Sequence, residues 1–129
     1  MGKKRVLIVD DDANLSRLSG VILESSGKYE VMIVNQSARA LSAALQFRPD
    51  VMLFDVDMPG KTGGDLVSEA AMDPRLRDIP VLFLTGLVSR EEAGSGSIES
   101  GGMKFLAKPV EPAVLLAAVD RLAPAVSLA

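Results

Sequence analysis

Five short apolar runs punctuate the chain: VLIV at 6–9, VMIV at 31–34, VMLF at 51–54, VLFL at 81–84, and MKFLA at 103–107, where Lys104 interrupts. Continuous apolar character over four or five residues is the pattern of a strand covered on both faces. Between the runs, apolar positions recur at helical spacing. Leu15, Leu18, Ile22 and Leu23 share one face of a segment that ends near Gly27, and Leu41, Ala44 and Leu45 share another that Pro49 stops. Leu66, Val67, Ala70 and Ala71 predict a third helix ending before Pro74, and Leu115, Ala118, Val119 and Leu122 a last one beginning around Glu111. Segment 87–100 reads as a weak helix, because Gly94 and Gly96 each cost about 1 kcal/mol against Ala.

Five β-α repeats of this kind predict an α/β fold, a parallel sheet buried between two layers of helices. Ligands in such folds bind at the carboxyl ends of the strands, where strand order reverses. The chain reads as a single domain with its core at about 4–122 and a short tail at 123–129.

The strand ends carry the candidate chemistry. Asp10, Asp11 and Asp12 follow the first run, Asp55 and Asp57 close the third, Thr85 follows the fourth, and Lys108 ends the fifth ahead of Pro109. An aspartate after a strand often only caps the next helix, and Asp12 or Asn14 is expected to do that here. Coincidence favours more: four strands supply acids, a hydroxyl and an ammonium to one edge of the sheet. Clustered carboxylates bind a hard divalent cation, and a lysine and threonine beside it can hold phosphate oxygens. This is the equipment of phosphoryl transfer, in which positioning and charge neutralisation dominate, and a carboxylate can itself be the nucleophile.

Composition narrows the chemistry. The 129 residues contain neither cysteine nor histidine, which excludes disulfides, thiol chemistry, the usual zinc sites and Ser-His-Asp catalysis. Any metal is therefore oxygen-bound: magnesium, with manganese or calcium able to substitute. With 14 basic and 17 acidic residues, a net charge of -3 offers no broad basic patch for nucleic acid. No apolar run approaches the roughly 20 residues of a membrane span, so a cytoplasmic protein without membrane contact is expected.

VLIVDDD, LFDVDMPGKTG, PVLFLTG and FLAKPV, in that order and spacing, resemble the receiver domain of two-component response regulators. The resemblance runs from Lys4 to about Leu122. It implies a doubly wound, flavodoxin-like (CheY-like) three-layer sandwich with five parallel strands in the order 2-1-3-4-5 and five helices. It implies that Asp55 accepts a phosphoryl group from a histidine kinase or phosphotransfer protein. Asp11, Asp55 and the backbone carbonyl of Asp57 would ligate magnesium, with Asp10 reaching the ion through water. Thr85 and Lys108 would contact the phosphoryl oxygens, and Phe105 stands where the family keeps a switching aromatic. Output would leave through the face of helix four, strand five and helix five, to a downstream protein or a C-terminal output domain, and a homodimer would use the same face. The Lys108–Pro109 bond is expected to be cis. Asp57 adds an acid where many members are uncharged, Phe105 has no hydroxyl, and glycines at 94, 96, 101 and 102 predict a short, bent or mobile fourth helix.

PGKTGG (59–64) superficially suggests a P-loop, but the first glycine of that motif would fall on Asp55. FDVDMP is similar to the nucleophile loop of haloacid-dehalogenase-like phosphatases, although no second acidic pair follows Lys108. The remaining alternative is a phosphorylation-independent interaction module on the same fold. The resemblance favours a signalling domain over an enzyme.

Overall fold

The computed structural model describes residues 2–56, 58–85, 97–100, 103–108 and 111–123. The elements in chain order are β1 (Lys4–Val9), α1 (Ala13–Ser25), β2 (Tyr29–Val34), a 3-10 turn (Ser37–Arg39), α2 (Ala40–Phe47), β3 (Val51–Asp55), α3 (Gly63–Ala71), β4 (Val81–Thr85), β5 (Ser97–Ser100), β6 (Met103–Ala107) and α4 (Pro112–Leu122). They form one sheet in the order β2-β1-β3-β4-β6-β5. β2, β1, β3, β4 and β6 run parallel. These five are the expected doubly wound sheet with its reversal between β1 and β3.

One expectation is corrected. Residues 97–100, read from sequence as the end of a weak helix, form strand β5, antiparallel to β6 at the sheet edge. Ser97 to Ser100 pair with Leu106 to Met103, so the backbone groups of this short polar stretch are satisfied across the sheet and not within a helix. The rest of the expected helix, and with it the expectation of a short, bent or mobile one, lies outside the described residues. So does the Lys108–Pro109 bond.

The central runs form strands because both of their faces are covered, whereas β2 at the sheet edge is only partly buried. Alternate residues point to opposite sides of a strand. Val6, Ile8, Leu53, Leu82, Leu84 and Leu106 pack on Leu23 of α1 and Leu115 and Val119 of α4. Leu7, Val9, Met52, Phe54 and Phe83 pack on Ala40 and Ala44 of α2 and on Leu66 and Ala70 of α3.

The helix starts follow local chemistry. Asp12 caps α1, its carboxylate accepting the Leu15 N–H at 3.0 Å, as expected. Thr62 and Asp65 form a reciprocal capping box at α3, with bonds of 3.1 and 3.0 Å. PGKTGG is thus the entry to a helix. Glu111 precedes α4, whose first residue is Pro112. No described helix is long and apolar enough to cross a membrane.

Candidate functional site

Register brings the candidate groups together. Val9 pairs with Phe54, so Asp10 and Asp55 leave their strands at the same level. Thr85 pairs with Ala107, which places Lys108 just beyond. The Lys108 N–H donates to the Thr85 carbonyl at 2.9 Å, which holds the Lys108 backbone beside the end of β4. Asp10, Asp55 and Thr85 are 1%, 6% and 3% exposed, whereas Asp11 is exposed.

Burying carboxylates requires compensation. The Lys108 ammonium supplies part of it, lying 3.0 Å from Asp10 Oδ2 and 3.2 Å from Asp55 Oδ1. Asp10 Oδ1 accepts the Asp12 N–H at 2.9 Å. Oxygens of Asp10, Asp11 and Asp55 all lie within 4.8 Å of one another. Three carboxylates against one ammonium leave the cluster two charges negative. Such a set of close, hard oxygen donors fits a divalent cation such as magnesium. Asp57, whose carbonyl the sequence reading adds to the ligands, lies outside the described residues.

Burial pushes the Asp55 carboxyl above the usual carboxylate range, and the Asp10 charge pushes it further; Lys108 opposes both through its hydrogen bond and charge, while a hydrogen bond with Asp11 adds to the rise. For Lys108, burial disfavours the ammonium, but the hydrogen bond and charge of Asp10, then those of Asp55, outweigh it and raise its pKa. Lys108 therefore stays cationic beside a carboxylate that is costly to ionise.

Several supporting residues were invisible to sequence reasoning. Asn35 Nδ2 donates to the Asp10 carbonyl at 2.8 Å and to Ser16 Oγ at 3.0 Å, bracing the acidic turn against α1. Ser37 Oγ donates to the Pro59 carbonyl at 2.9 Å and accepts the Lys61 N–H at 3.1 Å, tying down the loop after Asp55. Gly63 packs so tightly that a Cβ on it would fall 2.7 Å from the Asp55 carbonyl oxygen. The only sequence signal for any of these was the glycine pair in PGKTGG. Phe105, the expected switching aromatic, is partly buried and stacks on Phe83, with ring centroids 5.1 Å apart and planes at 20°.

Comparison with known proteins bears on this geometry. Residues 6–120 match the family model described as the response regulator receiver domain. The chain belongs to that family. It is 31% identical over 117 residues to the DNA-binding response regulator MtrA of Mycobacterium tuberculosis, covering 91% of this chain and 49% of MtrA. It is 37% identical over 119 residues to the response regulator PleD of Caulobacter vibrioides, covering 92% of this chain and 26% of PleD. The chain thus spans half or less of these curated relatives. Among solved structures, the chemotaxis protein CheY4 of Vibrio cholerae superposes with a TM-score of 0.79 at 31% identity, over 94% of this chain and 99% of that one. This receiver domain is a signalling domain of two-component response regulators, and nothing in these likenesses favours the phosphatase or the phosphorylation-independent reading.

Proposed function

We propose that Asp55 is the phosphoacceptor of this receiver domain and that a histidine kinase or phosphotransfer protein is its donor. The observation that carries this reading is the convergence of Asp10, Asp11 and Lys108 on Asp55 at the carboxyl edge of the sheet. In the reaction, an oxygen of the Asp55 carboxylate forms a bond to phosphorus as the P–N bond to the donor histidine breaks. The electron pair of that bond returns to the imidazole. Asp10, Asp11 and Asp55, with the carbonyl of Asp57, would hold a magnesium ion, which supplies charge neutralisation for the phosphoryl oxygens when bound. The Lys108 ammonium already lies against Asp55 and can follow the charge onto the transferred group, and the Thr85 hydroxyl can donate to a phosphoryl oxygen. Asn35 and Ser37 keep the two loops in place, so little reorganisation accompanies transfer.

Attraction of Thr85 toward the phosphoryl group, with movement of Phe105, would alter the face carrying β6 and α4 and pass the signal to a downstream protein or an output domain. Other turnover is confined to self-phosphorylation and self-dephosphorylation. The domain itself binds no nucleic acid and works in the cytoplasm.

Incubation with magnesium and a small acyl phosphate tests the proposal. A single phosphoryl adduct is expected on the parent chain and none on Asp55→Asn. Equal labelling of the two would overturn the assignment.

A further inference from the structure

Phe83 touches both the start of α3 beside Asp55 and the aromatic on the neighbouring strand. Its side chain is 3% exposed. On one side it abuts Gly63: a Cβ there would lie 2.9 and 3.1 Å from the Phe83 ring atoms Cε1 and Cδ1, and 2.7 Å from the Asp55 carbonyl oxygen. On the other side it stacks on Phe105. Phe83 and Phe105 pair across β4 and β6, and Thr85 and Ala107 form the pair two positions on. Residues two apart on a strand share a face. These four side chains therefore make one patch, with two rings at one end and the hydroxyl and a methyl at the other.

We propose that Phe83 is a positioning residue for the switch, holding Phe105 in the stacked arrangement of the unphosphorylated domain and linking it to the Asp55–Gly63 backbone. The inference rests on the reading of Phe105 as the switching aromatic. Phe83 has no slack toward Gly63, so its ring cannot retreat while that backbone stays in place. Phe105 can leave the stack by moving along its strand face toward Ala107 and Thr85, the end that a displaced Thr85 would open. An aromatic pair of this kind biases an equilibrium by about two- to tenfold, and phosphorylation has to overcome that bias.

The initial rate of Asp55 modification by a small acyl phosphate, read by mass spectrometry, measures it. Wild type, Phe83→Leu, Phe105→Leu and the double variant are compared. Each single substitution removes the same stack, so each is expected to raise the rate by about two- to tenfold, with no further gain in the double variant. A merely structural role for Phe83 would give factors that multiply, and that result overturns the proposal, as does a rate unchanged or lowered in Phe83→Leu. Phe83→Met fills more of the ring volume and is expected to shift the rate in the same direction, which keeps the test decisive should the leucine variant fold poorly. If Phe105→Leu alters the rate and Phe83→Leu does not, only the role of Phe83 falls. If Phe105→Leu has no effect, the switching role of Phe105 falls and takes the proposal with it. Absence of an adduct on wild type would overturn the phosphoacceptor reading itself.

Discussion

The Lys108 ammonium bridges Asp10 and Asp55, 3.0 Å from one carboxylate and 3.2 Å from the other. It is the cationic partner of two buried acids, so its removal acts on folding and on the site together. Lys108→Ala should cost about 1–3 kcal/mol in urea unfolding with a chelator present, because Asp10 is left buried with one oxygen uncompensated. The same variant should bind magnesium more tightly by calorimetry, since the cluster gains a negative charge, yet it should react more slowly with a small acyl phosphate. Weaker magnesium binding would contradict the electrostatic account.

The raised pKa of Asp55 makes a signed prediction. In a metal-free protein, an acid with a folded pKa above its unfolded value opposes folding once it is ionised. The native state binds more protons than the unfolded chain between the ordinary carboxylate value and the raised one, so this contribution to stability falls as pH rises through that window. Asp55→Asn should therefore be more stable than the parent at neutral pH, and the two curves should converge as pH falls below the usual carboxylate range. A gap that stays constant with pH would show that Asp55 does not titrate as its surroundings imply.

Metal binding should separate Asp11 from its neighbour Asp12. At magnesium about a hundredfold above its dissociation constant, the parent should gain about 2.7 kcal/mol against urea. Asp11→Asn should lose most of that gain. Asp12→Asn should keep it, because Asp12 caps α1 and asparagine caps a helix equally well. Equal loss in the two variants would refute the division of roles between neighbouring residues.

Gly63 and Gly64 form an internal control. A methyl on Gly63 meets the Asp55 carbonyl oxygen and the Phe83 ring, whereas one on Gly64 finds its nearest neighbour, Thr62 Oγ1, at 3.7 Å. Gly63→Ala should cost about 1–3 kcal/mol and slow phosphorylation by displacing the end of β3, which bears the proposed acceptor. Gly64→Ala should be neutral or stabilising by about 0.5–1 kcal/mol, since it lies within α3. Thermal unfolding of both variants decides the matter.

Ser37→Ala removes the only described side-chain link from the 3-10 turn to Pro59 and Lys61. About 1 kcal/mol of stability should be lost. The backbone amide of Lys61 should exchange hydrogen faster, and protection confined to its wild-type level would argue that Ser37 does not anchor the loop.

Much of this was legible from residue order. Short apolar runs located every parallel strand; the central ones are buried on both faces, which leaves no polar alternation to confuse the reading. Asp10, Asp11, Asp55, Thr85 and Lys108 could be placed at one edge because each directly follows or ends such a run. Asp12 was correctly placed at the start of α1. Other features depend on tertiary proximity that no local pattern encodes. Ser37 meets Pro59 across 22 positions, and Asn35 meets Asp10 across 25. Phe83 looks like any core residue until its neighbours Gly63 and Phe105 are known. β5 was misread because a short, polar, serine-containing stretch has neither helical nor strand periodicity, and only its pairing with β6 defines it.

That pairing also bears on how the molecule avoids its own kind. β6 carries Phe105 and leads into Lys108, and without β5 its outer backbone would be an open edge able to recruit a strand from another chain. β5 occupies that edge with only four residues, Ser97 to Ser100, one of them the charged Glu99. Brief, charged edge strands are poor templates for further pairing. The strand nearest the proposed output is in this way shielded from sheet-to-sheet aggregation, and signalling through it can rely on side chains without inviting uncontrolled assembly.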